Sequence, residues 1–188
     1  TVRSLKASGA NTSPNAGKLS TDIEDRIRYF SNKHGVDSSI VLKSVQMESG
    51  GNPNAISATG AIGLLQFTGR TASEMGVTNR FDIDQNIEAG VLLAKKNLSK
   101  LKDNGLDATA VNVYLAHQLG ISGAKELLQA AKDNKSISSL SKTTQKAVKL
   151  NFGGNKVSTA KEYIALTSEQ LEARSTKERF ASGNSPDS

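Results

Sequence analysis

The spacing of apolar residues is the feature that most constrains the fold of this 188-residue chain. Between Ile87 and Leu101 apolar residues recur every three or four positions, which is the period of a helix with one buried face. The same spacing recurs in shorter stretches that end at glycines, as helices commonly do. No run of alternating strands is present, so the pattern predicts a mainly α chain with at most a small β-hairpin or an extended loop.

Polar residues that favour helix starts predict where these helices begin. Thr21 with Glu24, and Thr159 with Glu162, have the spacing of capping boxes, and Ser158 is the alternative cap of that last helix. The other predicted starts are, in chain order, Asp37 or Ser38, Thr71, Asp107 and Ser122. Gly120 is predicted to separate the helix that starts at Asp107 from the helix that starts at Ser122. Residues 133–156 are polar with weak periodicity, so no helix is predicted there.

Length and composition indicate one domain of ordinary size with polar ends. We expect a flexible arm at residues 1–19, the folded domain at 20–172 and a polar tail at 173–188. The chain has no cysteine, which excludes a thiolate nucleophile and a cysteine–metal site. No apolar run reaches about 18 residues, so no membrane-spanning helix is predicted.

The formal net charge is +6. A solvated basic surface is its commoner meaning, and attraction to a polyanion such as a negatively charged cell wall is the functional one. No basic run is interleaved with aromatic residues, so nucleic acid is not an expected partner.

One stretch departs from the helical pattern. The apolar run from Ile40 to Met47 ends at Glu48, and two glycines and an Asn-Pro-Asn sequence follow. Such residues stop a helix, so Glu48 is predicted to lie at a helix end. An unpaired buried carboxylate is costly, so an acid placed here for packing would be unusual. Glu48 is therefore a candidate general acid at a cleft.

The residues after Glu48 carry a longer pattern that resembles the signature of soluble-type (SLT) lytic transglycosylases, which belong to the lysozyme-like superfamily. Its members here are Glu48, Ser49, Gly51, Asn52, Pro53, Ala55, Ser57, Gly60, Ala61, Gly63, Leu64, Leu65 and Gln66. Two later blocks agree in order, Asn86-Ile87-Glu88-Ala89-Gly90 and Val113-Tyr114-Leu115-Ala116-His117. Leu115 and His117 replace the family's usual Asn and Gly, a departure that is similar to bacteriophage muralytic enzymes.

This resemblance implies a lysozyme-like helical fold and cleavage of peptidoglycan glycan strands. Glu48 would protonate the oxygen between N-acetylmuramic acid and N-acetylglucosamine, and then take a proton from the C6 hydroxyl as a 1,6-anhydro ring closes. The resemblance implies no metal and no cofactor. Ser57 and Gln66 match residues that line the sugar cleft, and Tyr114 would hydrogen-bond Glu48 or the sugar. Apolar walls are expected from Ile62, Leu64, Leu65 and Phe67.

Two other functions stay open at this point. A lysozyme-type hydrolase would cleave the same bond with water, with Asp82, Asp84 or Glu88 as its second carboxylate. A non-enzymatic wall-binding or virion assembly module would keep the fold without the activity. From the resemblance we expect either a phage virion enzyme, as part of a larger virion protein, or an endolysin that acts in the bacterial periplasm or cell wall. A secreted or periplasmic bacterial enzyme is the alternative.

Overall fold

The computed structural model describes residues 19–151 and 156–181, with side chains up to residue 173. Within these residues helices dominate and β-pairing is limited to isolated bridges, which confirms the mainly α prediction. In chain order the helices are α1 (Thr21–His34), α2 (Ser38–Ser49), α3 (Gly69–Glu74), α4 (Ile83–Asp103), α5 (Ala110–Lys132), a short 3₁₀ helix (Ile137–Ser139), α6 (Lys142–Leu150) and α7 (Ala160–Ala181).

The chain divides into two compact units. Among the described residues, the first comprises 19–92 with 174–181, and in it α1 packs against α2. Its described core is mainly aliphatic, and it includes Ile27, Val41, Val45, Leu64, Phe67, Ile87 and Val91, each at most 1% exposed. Each such side chain contributes about 1.5–3 kcal/mol by its removal from water.

The second unit, Leu93–Ala173, has its own apolar core. In it α5 packs against α6 and the 3₁₀ helix. The core cluster comprises Leu115, Ala116, Ala124, Leu127, Ala130, Ala131, Ile137, Leu140, Val148, Ala160 and Tyr163. Burial raises the pKa of the Tyr163 phenol to about 12, and its hydroxyl donates to Gln118 Oε1 at 3.2 Å.

Two predicted caps are confirmed by side-chain hydrogen bonds. Asp37 Oδ1 accepts from the Ser39 amide at 2.9 Å at the start of α2. At the start of α7 the Thr159 hydroxyl accepts from the Glu162 amide at 3.2 Å, and Glu162 Oε2 accepts from the Thr159 amide at 3.0 Å. This reciprocal pair is the predicted capping box.

Three predicted starts were wrong by one to three residues. The α1 cap is Ser20, whose hydroxyl accepts from the Ile23 amide at 3.3 Å, so Thr21 is already helical. Helix α3 is capped by Thr68 instead of starting at Thr71, and α5 is capped by Thr109 instead of Asp107. Several residues with capping side chains lie close together at these places, and only the backbone conformation selects among them.

The region from 133 to 156 contains helices that the sequence pattern missed. The 3₁₀ helix and α6 both lie there, and α6 buries only Thr144 and Val148. One of these two residues is polar, so the helical period was too weak to detect. Gly120 breaks the helical conformation inside α5 as predicted, with φ of 69° and ψ of 165°.

The domain boundaries remain predictions. Residues 1–18 of the expected arm lie outside the described residues, whereas Leu19 is only 2% exposed. Leu19 packs over the turn after α2, since a Cβ added to Gly51 would lie 2.6 Å from Leu19 Cδ2. At the other end α7 continues to Ala181, and the tail beyond it lies outside the described residues.

Candidate active site

Glu48 lies in the last turn of α2, and its side chain is partly buried. The helix is held by the buried residues Ile40, Val41 and Val45. It ends at Gly50, which has the left-handed conformation (φ 61°) and whose amide donates to Gln46 O at 3.1 Å. The predicted position of Glu48, at the end of a packed helix and before a glycine break, is therefore present in the structure.

The segment after Gly51 is a loop that two isolated β-bridges stabilise. Ile62 pairs antiparallel with Ile56 and also with Phe67. Its amide donates to Phe67 O, and the Phe67 amide donates back to Ile62 O, both at 3.0 Å. The small hairpin allowed by the sequence is thus reduced to single-residue pairs around Ile62.

Ser57 closes the outer turn of this loop. Its Oγ accepts from the Ala61 amide at 3.0 Å and lies 3.0 Å from Thr59 Oγ1. The Ser57 amide donates to Ala61 O at 2.9 Å, so backbone and side chain fix the same turn. The hydroxyl therefore has a structural task in the loop, and its contact with sugar remains a prediction.

Gln66 lies in the same loop and has a positive φ of 51°. That conformation is uncommon for a residue with a side chain. Its Nε2 donates to Gly63 O at 2.8 Å and to Ala55 O at 3.2 Å. These two bonds direct both amide hydrogens into the loop, so Oε1 is the side-chain atom left to accept a hydrogen bond from a sugar.

Asn86 binds the turn that contains Gly63 and Leu65 to the start of α4. It is 1% exposed, and its Oδ1 accepts from the Leu65 amide at 2.9 Å. Its Nδ2 donates to Arg80 O at 2.9 Å. A Cβ on Gly63, which has a φ of 84°, would overlap both Asn86 Nδ2 and Arg80 O. Sequence analysis put Asn86 in a motif without a role, because its burial and its bonds to backbone atoms are known only from the structure.

Gly90 extends the same contact one turn along α4. A Cβ added there would overlap Leu65 Cδ1. The absence of a side chain at Gly90 therefore allows Leu65, which is 3% exposed, to reach the helix. Asn86 and Gly90, four residues apart on one helical face, together hold the Leu65 turn.

Arg80 is a loop-supporting residue that sequence reasoning missed. Its Nη1 donates to Gly60 O at 3.0 Å and to Phe67 O at 2.9 Å. The Gly60 carbonyl lies in the turn that Ser57 closes, and the Phe67 carbonyl lies at the end of the loop, so one guanidinium binds both parts of the loop. Bonds to backbone carbonyls leave no residue-type pattern, so the spacing of residues does not indicate them.

Asp82 and Asp84, two candidates for a second catalytic acid, have structural partners. Asp82 Oδ1 accepts from the Gln85 amide at 2.8 Å in the first turn of α4. Asp84 forms an ion pair with Arg26 of α1, which also pairs with Asp22 four residues earlier. Both carboxylates therefore have bonding partners at the start of α4.

Glu88, the third candidate, is contacted by a lysine and a histidine side chain from the end of α1. Its Oε1 lies 2.8 Å from both Lys33 Nζ and His34 Nε2. The hydrogen bond from Lys33, followed by that from His34, holds the pKa of Glu88 below its usual range. A carboxyl that remains ionised is a poor general acid, although it stays able to act as a base.

Tyr114 belongs to the second unit, where α5 carries it. It is 3% exposed, and its ring lies 6.4 Å from the His117 ring, centre to centre. Leu115, at the position of the family's usual Asn, is fully buried and belongs to the core cluster of this unit. The structure therefore groups Ser57 and Gln66 in one loop that follows Glu48, and it places Tyr114 on a separate element.

The described part of the chain contains neither a metal-binding cluster of side chains nor a helix that could span a membrane. There, no three His, Asp or Glu side chains come together in an arrangement that could hold a metal ion. None of the helices described is long and apolar enough to cross a membrane.

Comparison with known proteins relates the chain to one family. The model of the transglycosylase SLT domain family matches residues 25–137. A transglycosylase of Enterobacteria phage PRD1 is 40% identical over 79 residues, which cover 42% of this chain and 30% of the phage protein. Membrane-bound lytic murein transglycosylase F of Desulfosudis oleivorans is 38% identical over 108 residues, which cover 57% of this chain and 24% of the bacterial protein. The chain spans less than a third of either relative.

Among solved structures, lytic transglycosylase Slt from Pseudomonas aeruginosa matches 79% of this chain and 24% of its own. The sequence identity is 19% and the TM-score is 0.48. A likeness of that size carries no argument about the chemistry of this chain.

Proposed function

Because this chain belongs to the transglycosylase SLT domain family, we propose that it cleaves the β-1,4 bond between N-acetylmuramic acid and N-acetylglucosamine in peptidoglycan. One observation carries the proposal. Within the matched residues, Glu48 lies in the last turn of a helix with a buried face, and the loop that follows has its backbone fixed by Asn86 and Arg80. A carboxyl on a rigid element beside a pre-shaped loop is the arrangement that general acid catalysis requires.

In this reaction Glu48 acts first as the acid. It gives its proton to the glycosidic oxygen as the bond from that oxygen to C1 of the muramic acid breaks. The acetamido oxygen of the same sugar stabilises the positive charge at C1. The C6 hydroxyl oxygen then bonds to C1, and its proton returns to the ionised Glu48. The products are a free N-acetylglucosamine hydroxyl and a 1,6-anhydro end, and no water is consumed.

The loop gives this chemistry its polar contacts. Gln66 Oε1 is available to accept from a sugar hydroxyl or acetamido N–H, because its Nε2 is held by Gly63 O and Ala55 O. Of the four residues expected to form apolar walls, Leu64, Leu65 and Phe67 are at most 3% exposed, so they anchor the loop. Ile62 is partly exposed and is the wall residue that a substrate can touch.

The partners of the other acids favour this one-acid reaction over a hydrolase. Asp82 bonds to a helix amide, Asp84 pairs with Arg26, and Glu88 pairs with Lys33 and His34. A second catalytic carboxylate drawn from these three would have to leave a partner.

The role of Tyr114 in contacting Glu48 or sugar, which the family pattern implies, remains a proposal that Tyr114→Phe would test.

The relatives suggest where the chain acts. One is a phage protein and another is a membrane-bound bacterial enzyme, and both are named transglycosylases. We propose that this chain acts on the bacterial cell wall, either as part of a phage virion or lytic system or as a bacterial enzyme.

The proposal is tested by the products of peptidoglycan digestion and by Glu48→Gln. We expect muropeptides that end in anhydromuramic acid, each lighter by one water than its reducing counterpart in mass spectrometry. Glu48→Gln should lower kcat by roughly 100-fold or more, because general acid catalysis contributes about 10²–10⁴-fold.

The matched control is Glu74→Gln on α3, an exposed acid paired with Arg70 that should retain the wild-type rate. Reducing ends alone would indicate the lysozyme-type hydrolase. Unaltered cleavage by Glu48→Gln would remove Glu48 from the mechanism, and binding of walls without cleavage by the wild type would indicate the non-enzymatic module.

A further inference from the structure

The positive charge of this chain is concentrated in its second unit. Between residues 93 and 173 the sequence has 12 lysines, no arginine and 7 acidic residues, whereas residues 19–92 have 6 basic and 9 acidic residues. The net charge is therefore +5 for residues 93–173 and −3 for residues 19–92. The proposed reaction uses Glu48 and the loop that follows it in the first unit, so it leaves this basic surface without a role.

Three of these lysines, Lys142, Lys146 and Lys149, form one row along α6, which we call the lysine row. They are spaced by four and three residues, so they share one face of the helix, and all three are exposed. The helix contains no acidic residue. Among the residues that the structure describes, no carboxylate lies within ion-pair distance of any of the three. Within that part of the chain, the lysine row presents three ammonium groups that no protein carboxylate neutralises.

The lysine row does not stabilise α6. Like charges three or four residues apart repel each other on the surface of a helix. Lys142 is the first residue of α6 and therefore lies at the positive end of the helix dipole, where a cation is unfavourable. Solubility requires surface charge but not its alignment in one row, since lysines scattered over the surface provide it equally well. The alignment therefore has its reason outside the helix.

Helix α6 holds the lysine row on a rigid support. The carboxylate of Glu126 on α5 accepts from Thr144 Oγ1 at 2.5 Å and from Ser141 Oγ at 2.8 Å, which fixes the start of α6. These bonds, the one from Thr144 most of all, hold the pKa of Glu126 below its usual range. Val148 is fully buried in the core cluster of the second unit. Thr144 and Val148 lie on the side of α6 opposite to the lysine row, so the row faces away from α5.

The partner that fits the lysine row carries repeated negative charges. Lys142 and Lys149 are seven residues apart, which is about 10 Å at 1.5 Å per residue. An ammonium is a compact, hydrated charge without the fixed fork of a guanidinium, so a row of lysines selects for charge instead of for one binding geometry. A polymer with anionic groups at short intervals can therefore contact several of these lysines at once.

We propose that the lysine row is a docking surface for the carboxylates of peptidoglycan, in particular those at the free ends of the peptide stems. A stem is attached to the glycan strand through its amino end, so its other end is a carboxylate, and many stems along a strand make the polymer an anion. The identity of this partner rests on the proposed function, whereas the affinity of the row for a polyanion does not. Ion pairs of exposed lysines are individually weak, so the row holds the chain on the wall without fixing it at one place.

The first experiment measures binding of the whole chain to purified sacculi that carry no phosphate polymer. Every protein in it contains Glu48→Gln, so that the sacculi stay intact, and the bound fraction is measured by co-sedimentation at increasing salt. Glutamine at all three positions of the lysine row should weaken binding about eightfold at low salt, at roughly a factor of two per exposed ion pair. The difference should disappear at high salt, because exposed charges are then screened.

The matched control carries glutamine at three exposed lysines of α4, Lys95, Lys96 and Lys102, and so changes the net charge equally. It should bind within about twofold of its parent, because charges away from the bound polymer are screened. Urea unfolding should show the row variant to be at least as stable as its parent, since repulsion between like charges is removed. An equal loss of binding in both triple variants, or no loss in either, would overturn the docking surface.

The second experiment identifies the anion and separates this proposal from the proposed function. Amidation of the sacculus carboxylates with a carbodiimide and ammonia removes their charge, so the parent and the row variant should then bind equally. A row effect that persists on amidated sacculi, or that appears only on walls that retain a phosphate polymer, contradicts the assignment to carboxylates. If the wild type cleaves no glycan but binds sacculi through the lysine row, the proposed function fails and the docking surface stands. If the wild type cleaves glycan and the row variant binds like its parent, the docking surface alone fails.

Discussion

At the scale of single residues, the loop after Glu48 depends on side chains that bond to backbone atoms. Gln66 holds two carbonyls, Arg80 holds two more, and Asn86 holds an amide and a carbonyl. A residue with positive φ, such as Gln66, costs about 1–3 kcal/mol and persists only where its surroundings fix it. The polar loop is therefore pre-shaped before a substrate arrives.

Asn86→Ala is expected to destabilise the chain by about 1–3 kcal/mol. The substitution leaves the buried Leu65 amide and Arg80 carbonyl without their partner, and an unsatisfied buried group carries that penalty. Urea unfolding followed by circular dichroism measures the effect, and the rate of peptidoglycan cleavage should fall with it.

Asn112→Ala is the control for this prediction. Its amide donates one exposed bond to Asp107 O, at 2.8 Å, so its removal should change stability by no more than about 0.5 kcal/mol. Equal effects of the two substitutions would show that Asn86 does not hold the loop.

At the scale of secondary-structure elements, side-chain caps stabilise starts of the described α-helices. One of them is the capping box of α7, in which Thr159 and Glu162 bond reciprocally. The bonds from the Ser158 amide and then from the Thr159 amide hold the pKa of Glu162 below its usual range. The neighbouring Ser136–Thr159 bridge joins this helix start to the 3₁₀ segment.

Thr159→Ala should cost about 1 kcal/mol of stability, the usual loss when a capping hydroxyl is removed. The control is Thr143→Ala in the first turn of α6, an exposed threonine whose replacement should be neutral or slightly stabilising because alanine favours helices. Both are measured by urea unfolding at neutral pH. A Thr159→Ala variant as stable as the wild type would mean that packing alone fixes the start of α7.

At the scale of the whole molecule, carboxylates in both units respond to acid in the same direction. Hydrogen bonds lower the pKa of Glu88 in the first unit and of Glu126 and Glu162 in the second. A carboxyl with a lowered pKa in the folded state stabilises the fold above its unfolded pKa of about 4.3, and that contribution is lost as pH falls through the folded value. Stability should therefore decrease below about pH 4.

Glu88→Gln tests this pH dependence of stability for one of the three carboxylates. The variant should be less stable than the wild type at neutral pH, and the difference should shrink as the pH falls below about 4, where Glu88 becomes protonated in both states. Thermal unfolding from pH 3 to 7 measures it, with Glu169→Gln, an exposed acid of α7, as the control. A difference that stays constant with pH would mean that Glu88 contributes through packing instead of charge.

The sequence by itself determined the helical class, the end of α2 just after Glu48 and the grouping of Ser57 and Gln66 in the loop that follows, because apolar period and glycine stops are local signals. It also placed the last capping box and the break at Gly120. Only the tertiary structure decided that Arg80 and Asn86 hold that loop, that Glu126 fixes the start of α6, and that Asp84 and Glu88 pair with α1. These bonds join residues distant in the chain, or end on backbone atoms that every residue shares, so no spacing of residue types encodes them.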